Sequence, residues 1–231
     1  MDLFRRFRKM EGSGKPYPTG DPALFFARIG TYFWKFLLLN GLFIIFSLPV
    51  ITVPAALTAV YRVIIQIISK ERCFLWDDFW EEFRRNFWRS LFLGLRLLPD
   101  ILILLLLLTN GIGNRRSFIG IVLLGLSLFG ITWFLLKSTW AFVMNAMLDL
   151  KVSELLRNAR ILALKERWTS LAVILTLLLT TIFMIAVFPI SQWIFLLFLF
   201  SFIQYSVCTF IYDSVLKQIV TPYEQNKQAQ M

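Results

Sequence analysis

Apolar residues in this chain come in long unbroken runs. Stretches at roughly 91–109, 118–146, 169–188 and 193–213 have no polar face, whereas helices on the surface of a soluble domain keep one. Each approaches the ~20 residues needed to cross a hydrocarbon core of ~30 Å and predicts a transmembrane helix. Another such run, ALFFARIGTYFWKFLLLNGLFIIFSL, ends just before Pro49. Asp21 and Pro22 ahead of it form a helix-start signal, and Tyr32 and Trp34 mark a headgroup level.

The stretch LPVITVPAAL, residues 48–57, interrupts this pattern with Pro49 and Pro54. It reads as a turn, with Pro49 ending one helix and Pro54 opening the next. The helix that follows, ending near Ser69, is a marginal span of about 24 Å. It also contains Arg62, so a sheltered, tilted or locally thinned position is expected. Charge decides whether it crosses. If it does, eighteen basic residues fall on one side, against Arg115 and Arg116 on the other. If it does not cross, or dips in and returns, the split becomes twelve to eight. The positive-inside rule favours the first arrangement. The expectation is therefore an all-α polytopic membrane bundle of about six spans in the cell membrane, with both termini cytoplasmic and LPVITVPAAL as an extracellular turn.

Two segments between the spans are amphipathic. In LWDDFWEEFRRNFWRS, Asp78 and Glu81 have capping-box spacing, and acids precede the bases Arg84, Arg85 and Arg89 in the order that suits the helix dipole. Trp76, Trp80, Phe83 and Phe87 recur at three- and four-residue steps and form an aromatic face. This helix is expected along the inner membrane surface or docked under the bundle, with Asp77, Asp78, Glu81 and Glu82 solvated. In KVSELLRNARILALKERW, Ser153 is the expected cap, and Leu155, Ala159, Leu162 and Ala163 share a face. WRSL at 88–91 and WTSL at 168–171 stand 80 residues apart at matching places, which suggests a tandem repeat. A tryptophan before each span would give the same pattern without one.

Composition agrees with a membrane protein: 58% of the 231 residues are hydrophobic and only 16% charged, against roughly 25% charged in soluble domains. The first apolar run is followed by further spans, so it is expected to stay in the protein rather than be cleaved as a signal. The net charge of +10 lies between apolar runs. Membrane orientation accounts for it without nucleic acid. Histidine is absent, and Cys73 and Cys208 lack paired spacing, which argues against zinc, haem or redox centres. The chain divides into a basic tail and linker (1–20, beginning MDLFRRFRKM and suited to anionic lipid), a transmembrane domain (21–216) and a polar cytoplasmic tail (217–231).

The segment FFARIGTYFWKFLLLNGLFIIFSLPVITVPAALTAVY, followed by DDFWEEFRRNFWRSL, resembles the YesL-like family of bacterial multispanning membrane proteins, a domain of unknown function. Members are commonly encoded beside carbohydrate ABC importers and enzymes of polysaccharide use in Gram-positive bacteria. The resemblance implies that setting, with ABC transporter subunits as partners beside the lipid bilayer. It supplies no catalytic residues.

Ionisable residues within spans are functional candidates, each costing about 2.5–3.5 kcal/mol on insertion scales. Here they are Arg62, Arg96, Asp100 and Lys137, with Asp149 and Asp213 near span ends. Counted from inner span ends at residues 91 and 146, Asp100 and Lys137 both lie about 14–15 Å deep. They are expected to pair, with Arg62 as the competing partner for Asp100. The pair either fixes helix register or serves a substrate or proton. No GxSxG, SxxK or Walker loop is present, so neither serine catalysis nor ATP hydrolysis is expected. No cofactor is expected either. The leading reading is a non-enzymatic component associated with a carbohydrate ABC import system. The segment 147–168 lacks the EAA-type motif of its permeases. The alternative is an autonomous small-solute transporter or channel, and a lipid-organising role stands behind both.

Overall fold

The computed structural model describes residues 22–70, 74–194 and 198–222. The regular elements there are all helical: α1 (Pro22–Ser47), α2 (Val53–Lys70), α3 (Leu75–Gly113), α4 (Phe118–Met147), α5 (Val152–Lys165), α6 (Arg167–Ala186), α7 (Ile190–Ile194) and α8 (Phe200–Val215). Five helical segments are long and apolar enough to cross a membrane: Ala23–Ser47, Val50–Ser69, Leu75–Gly113, Phe118–Met147 and Arg167–Ala186. The protein is a polytopic helical membrane bundle. Of the sixth span expected at 193–213, residues 193–194 end α7 and 198–213 are helical, from Phe200 onward in α8, while 195–197 lie outside the described residues. After α8 the chain continues through a π-helical turn, Leu216–Val220, and stays helical to 222. The tail and linker 1–20, Asp21, Arg72, Cys73 and the end of the chain from 223 lie outside the described residues.

The largest departure from expectation is α3. The amphipathic stretch is no separate surface helix but the first half of one helix of 39 residues that runs on through Pro99. Nothing between Trp88 and Leu91 breaks helical backbone. Helix α3 starts at Leu75, so Asp77 and Asp78 lie in its first turn, and the Asp78 carboxylate accepts the backbone N–H of Phe74 at 2.9 Å. This replaces the expected pairing of Asp78 with Glu81 as a capping box. Helix α5 likewise begins two residues earlier than expected, with Lys151 rather than Ser153 at its N-cap. Its predicted face of Leu155, Ala159, Leu162 and Ala163 is buried.

Helix α2 sits at the centre, packed against α1, α3, α4 and α8. Its most apolar window is 67% buried, against 11–17% in the other four candidate spans. Protein therefore shelters most of the short helix that carries Arg62.

At the corner before α2, Pro49 leads into a 3-10 turn, Val50–Thr52, and Pro54 lies in the first turn of α2. The Thr52 hydroxyl is shared between the carbonyls of Phe46 and Pro49, and the N–H groups of Thr52 and Val53 bond to Pro49 and Val50. The Pro54 ring packs on Gly94 so closely that a Cβ there would lie 2.5 Å from Pro54 Cγ. From Gly94, α3 runs about 28 Å further to Gly113. The corner thus meets α3 near its middle, away from the Asn114–Ser117 turn where an extracellular connection between full spans is expected. The reason is length: α2 has 18 residues and α3 has 39, with only 71–74 joining them.

Leu48, Val50 and Ile51 at this corner are 76%, 83% and 63% exposed. Exposed apolar side chains of this size suit hydrocarbon better than water. In a background without Cys73 and Cys208, Val50→Cys in intact vesicles is expected to resist a membrane-impermeant maleimide from either side, while Ser117→Cys reacts. Equal labelling of the two would place the corner in water.

Candidate functional site

The buried face of the first half of α3 is not its aromatic one. Phe79, Glu82, Asn86, Ser90, Leu93 and Leu97, at three- and four-residue steps, are buried. Three of them are polar, and each meets a polar group from α2 or α4 or bonds within α3. Asn145 Nδ2 donates to Ser90 Oγ at 3.0 Å and to Thr58 Oγ1 at 3.2 Å, and Ser90 donates to Thr58 at 3.0 Å. Thr58 closes the chain by donating to the Pro54 carbonyl at 2.9 Å. All three side chains are fully buried.

One turn along, the Glu82 carboxylate accepts from Asn86 Nδ2 and from Arg85, each at 2.8 Å, with Arg62 Nε 3.9 Å away. Arg62 also donates to the Ala146 carbonyl at 3.3 Å. Arg89 then clamps the end of α4, donating to Asp149 at 2.9 Å and to the Leu148 carbonyl at 2.6 Å. Two sequence expectations are corrected here. Glu82 is 2% exposed rather than solvated, and Arg62 turns to Glu82 and α4 instead of competing for Asp100. The signal for this seam was present in the four-residue spacing of Glu82, Asn86 and Ser90, beside the more conspicuous tryptophans.

Those tryptophans face outward. Trp76 and Trp80 are 57% and 42% exposed and stack with ring centroids 6.4 Å apart. Phe83 and Phe87 are half-buried, and Phe46 of α1 packs against Trp76, Trp80 and Phe83. Beside Trp80 lies an open groove of about 620 Å³ lined by Asp77, Glu81, Arg84 and Arg85.

Lys137 and Asp100 are in direct contact, Nζ to Oδ2. Their helices pack tightly here, since a Cβ on Gly130 would lie 2.4 Å from Leu104 Cδ2. The Lys137 side chain is 10% exposed and that of Asp100 41%. The pair lines an open cleft of about 350 Å³ that Arg160 of α5 also reaches. From this level to the hairpin tip, α3 and α4 run about 20 and 28 Å, against a hydrocarbon core of ~30 Å. The pair is thus nearer one edge of the apolar hairpin than a count from residue 91 implies. Arg96 lines a separate cleft with Phe92 and Val152, and Asp213 lies near the end of α8. Among the described residues no group of three or more His, Cys, Asp or Glu is placed to hold a metal.

A family model described as a protein of unknown function, DUF624, matches residues 36–110. The match takes in most of the segment whose residues resemble the YesL-like family, and it bears out that recognition. It spans the end of α1, the proline corner, α2 and most of α3. Glu82, Arg62, Thr58, Asn86 and Ser90 fall inside it, while Lys137 and Asn145 fall outside. No curated protein and no solved structure gives a significant match to the chain.

Stripping one member from a buried charge pair costs about 3–5 kcal/mol. Glu82→Leu is expected to lower stability in detergent by about that amount, and Glu81→Leu, at 64% side-chain exposure, by less than about 0.5 kcal/mol. Thermal unfolding compares the two, and equal losses would remove the special role of Glu82. Lys137→Met is expected to reduce the folded yield sharply and Asp100→Asn, added to it, to restore part. Independent effects of the two changes would contradict the pairing.

Proposed function

We propose that this DUF624-bearing chain is a non-enzymatic membrane protein that works as an associated component of a carbohydrate ABC import system. It resides in the cell membrane with both termini in the cytoplasm. The observation that carries the reading is the first half of α3, where stacked Trp76 and Trp80 stand exposed beside a groove of mixed charge. Exposed aromatic residues with arginine beside them are what protein interfaces favour. The sugar-import setting comes from the family resemblance. The orientation rests on the excess of basic residues, which share one side whether the α1–α2 hairpin crosses the bilayer or both of its helices turn back within it.

Trp76→Ala combined with Trp80→Ala is expected to lower the folded yield only slightly, because both rings lie at the surface and Phe46, which packs on them, keeps its contacts with Phe79 and Phe83. Co-purification of importer subunits with the tagged protein after mild solubilisation should fall. The proposal fails if no transporter subunit accompanies the wild-type protein and sugar uptake is unchanged without it. The second reading, an autonomous small-solute transporter or channel, is favoured by the charged cleft at Asp100 and Lys137. Solute uptake by liposomes containing only this protein would select it.

A further inference from the structure

The cleft between α3, α4 and α5 holds more positive charge than its ion pair uses. Lys137 is neutralised by Asp100. Arg160 enters the same cleft from α5, is exposed, and makes no ion pair among the described residues. The three side chains leave a net charge of +1, and the guanidinium has its donors available. The walls beside them, Ile103, Leu104, Trp133 and Phe134, are apolar or aromatic.

We propose that this cleft binds a phosphate-bearing anion, with Arg160 as its ligand and the mutually neutralised Lys137–Asp100 pair beside it. Arginine presents paired N–H donors that match phosphate oxygens. Basic pockets between transmembrane helices bind anionic lipid headgroups. The apolar walls give acyl chains a surface next to the headgroup, and Trp133 supplies the ring favoured at the membrane interface. The same recognition chemistry serves a lipid phosphodiester or free inorganic phosphate.

The whole protein, exchanged into detergent with either phosphatidylglycerol or phosphatidylcholine, is examined by native mass spectrometry for retained lipid. Three forms are compared: wild type, Arg160→Gln, and Arg157→Gln as an exposed neighbour on the same helix that does not line the cleft. Phosphatidylglycerol is expected to stay on the wild type and on Arg157→Gln, with about fivefold lower retention on Arg160→Gln, while phosphatidylcholine retention is the same in all three. In a second arm without lipid, millimolar inorganic phosphate is added and melting temperatures are compared. A stabilisation lost in Arg160→Gln and kept in Arg157→Gln, without selective lipid retention, assigns the site to free phosphate. The proposal is overturned if, in both arms, Arg160→Gln behaves as wild type or the two arginine variants lose equally.

Discussion

The fold depends on a constraint at one interface, where buried polar side chains from three helices meet one another. Thr58, Ser90 and Asn145 come from three different helices and are fully buried. Their bonds form only in one register of α2, α3 and α4. A slip by one residue would leave a hydroxyl or an amide without a partner, and an unmet buried polar group costs about 1–3 kcal/mol. Apolar side chains in a bilayer gain little from choosing each other over lipid. Polar contacts and close approaches such as Pro54 on Gly94 must therefore set the alignment. Glu82 and Arg62 reinforce it, since neither tolerates loss of its surroundings.

This alignment explains how a helix too short and too charged for comfort in lipid occupies the centre of the protein. Helix α2 has neighbours on most sides, so its length need not match the membrane and its arginine need not reach water. The longer helices carry the lipid-facing surface. Rows of exposed leucine, isoleucine and phenylalanine on α3, α4 and α6 would be an aggregation hazard in water and are ordinary against acyl chains.

The membrane class, most helix positions and the corner at Pro49 and Pro54 were legible because they rest on local features: unbroken apolar runs and residues that stop helices. Asp100 and Lys137 were legible because charges in long apolar runs are few and these two have opposite signs on neighbouring helices, whereas their depth was not, since α3 begins at Leu75 rather than at residue 91. The seam was harder to see. Glu82, Asn86 and Ser90 gain meaning only beside Thr58 and Asn145, which are distant in sequence, and hydrophobicity alone turns the aromatic side of α3 inward. Unbroken passage from the amphipathic to the apolar part of α3 was missed because a change in composition resembles a boundary even where the backbone has no reason to stop.

Pro99 gives α3 a further property. Lacking an N–H, it leaves the Leu95 carbonyl without its helical donor, and prolines are where long helices bend most readily. The weakest rung of the longest helix lies between the Glu82 seam and the Asp100 pair. The seam end is gripped by α2 and α4, while the far end is bound mainly to its hairpin partner. The two ends of α3 are thus held by different partners on either side of its missing rung.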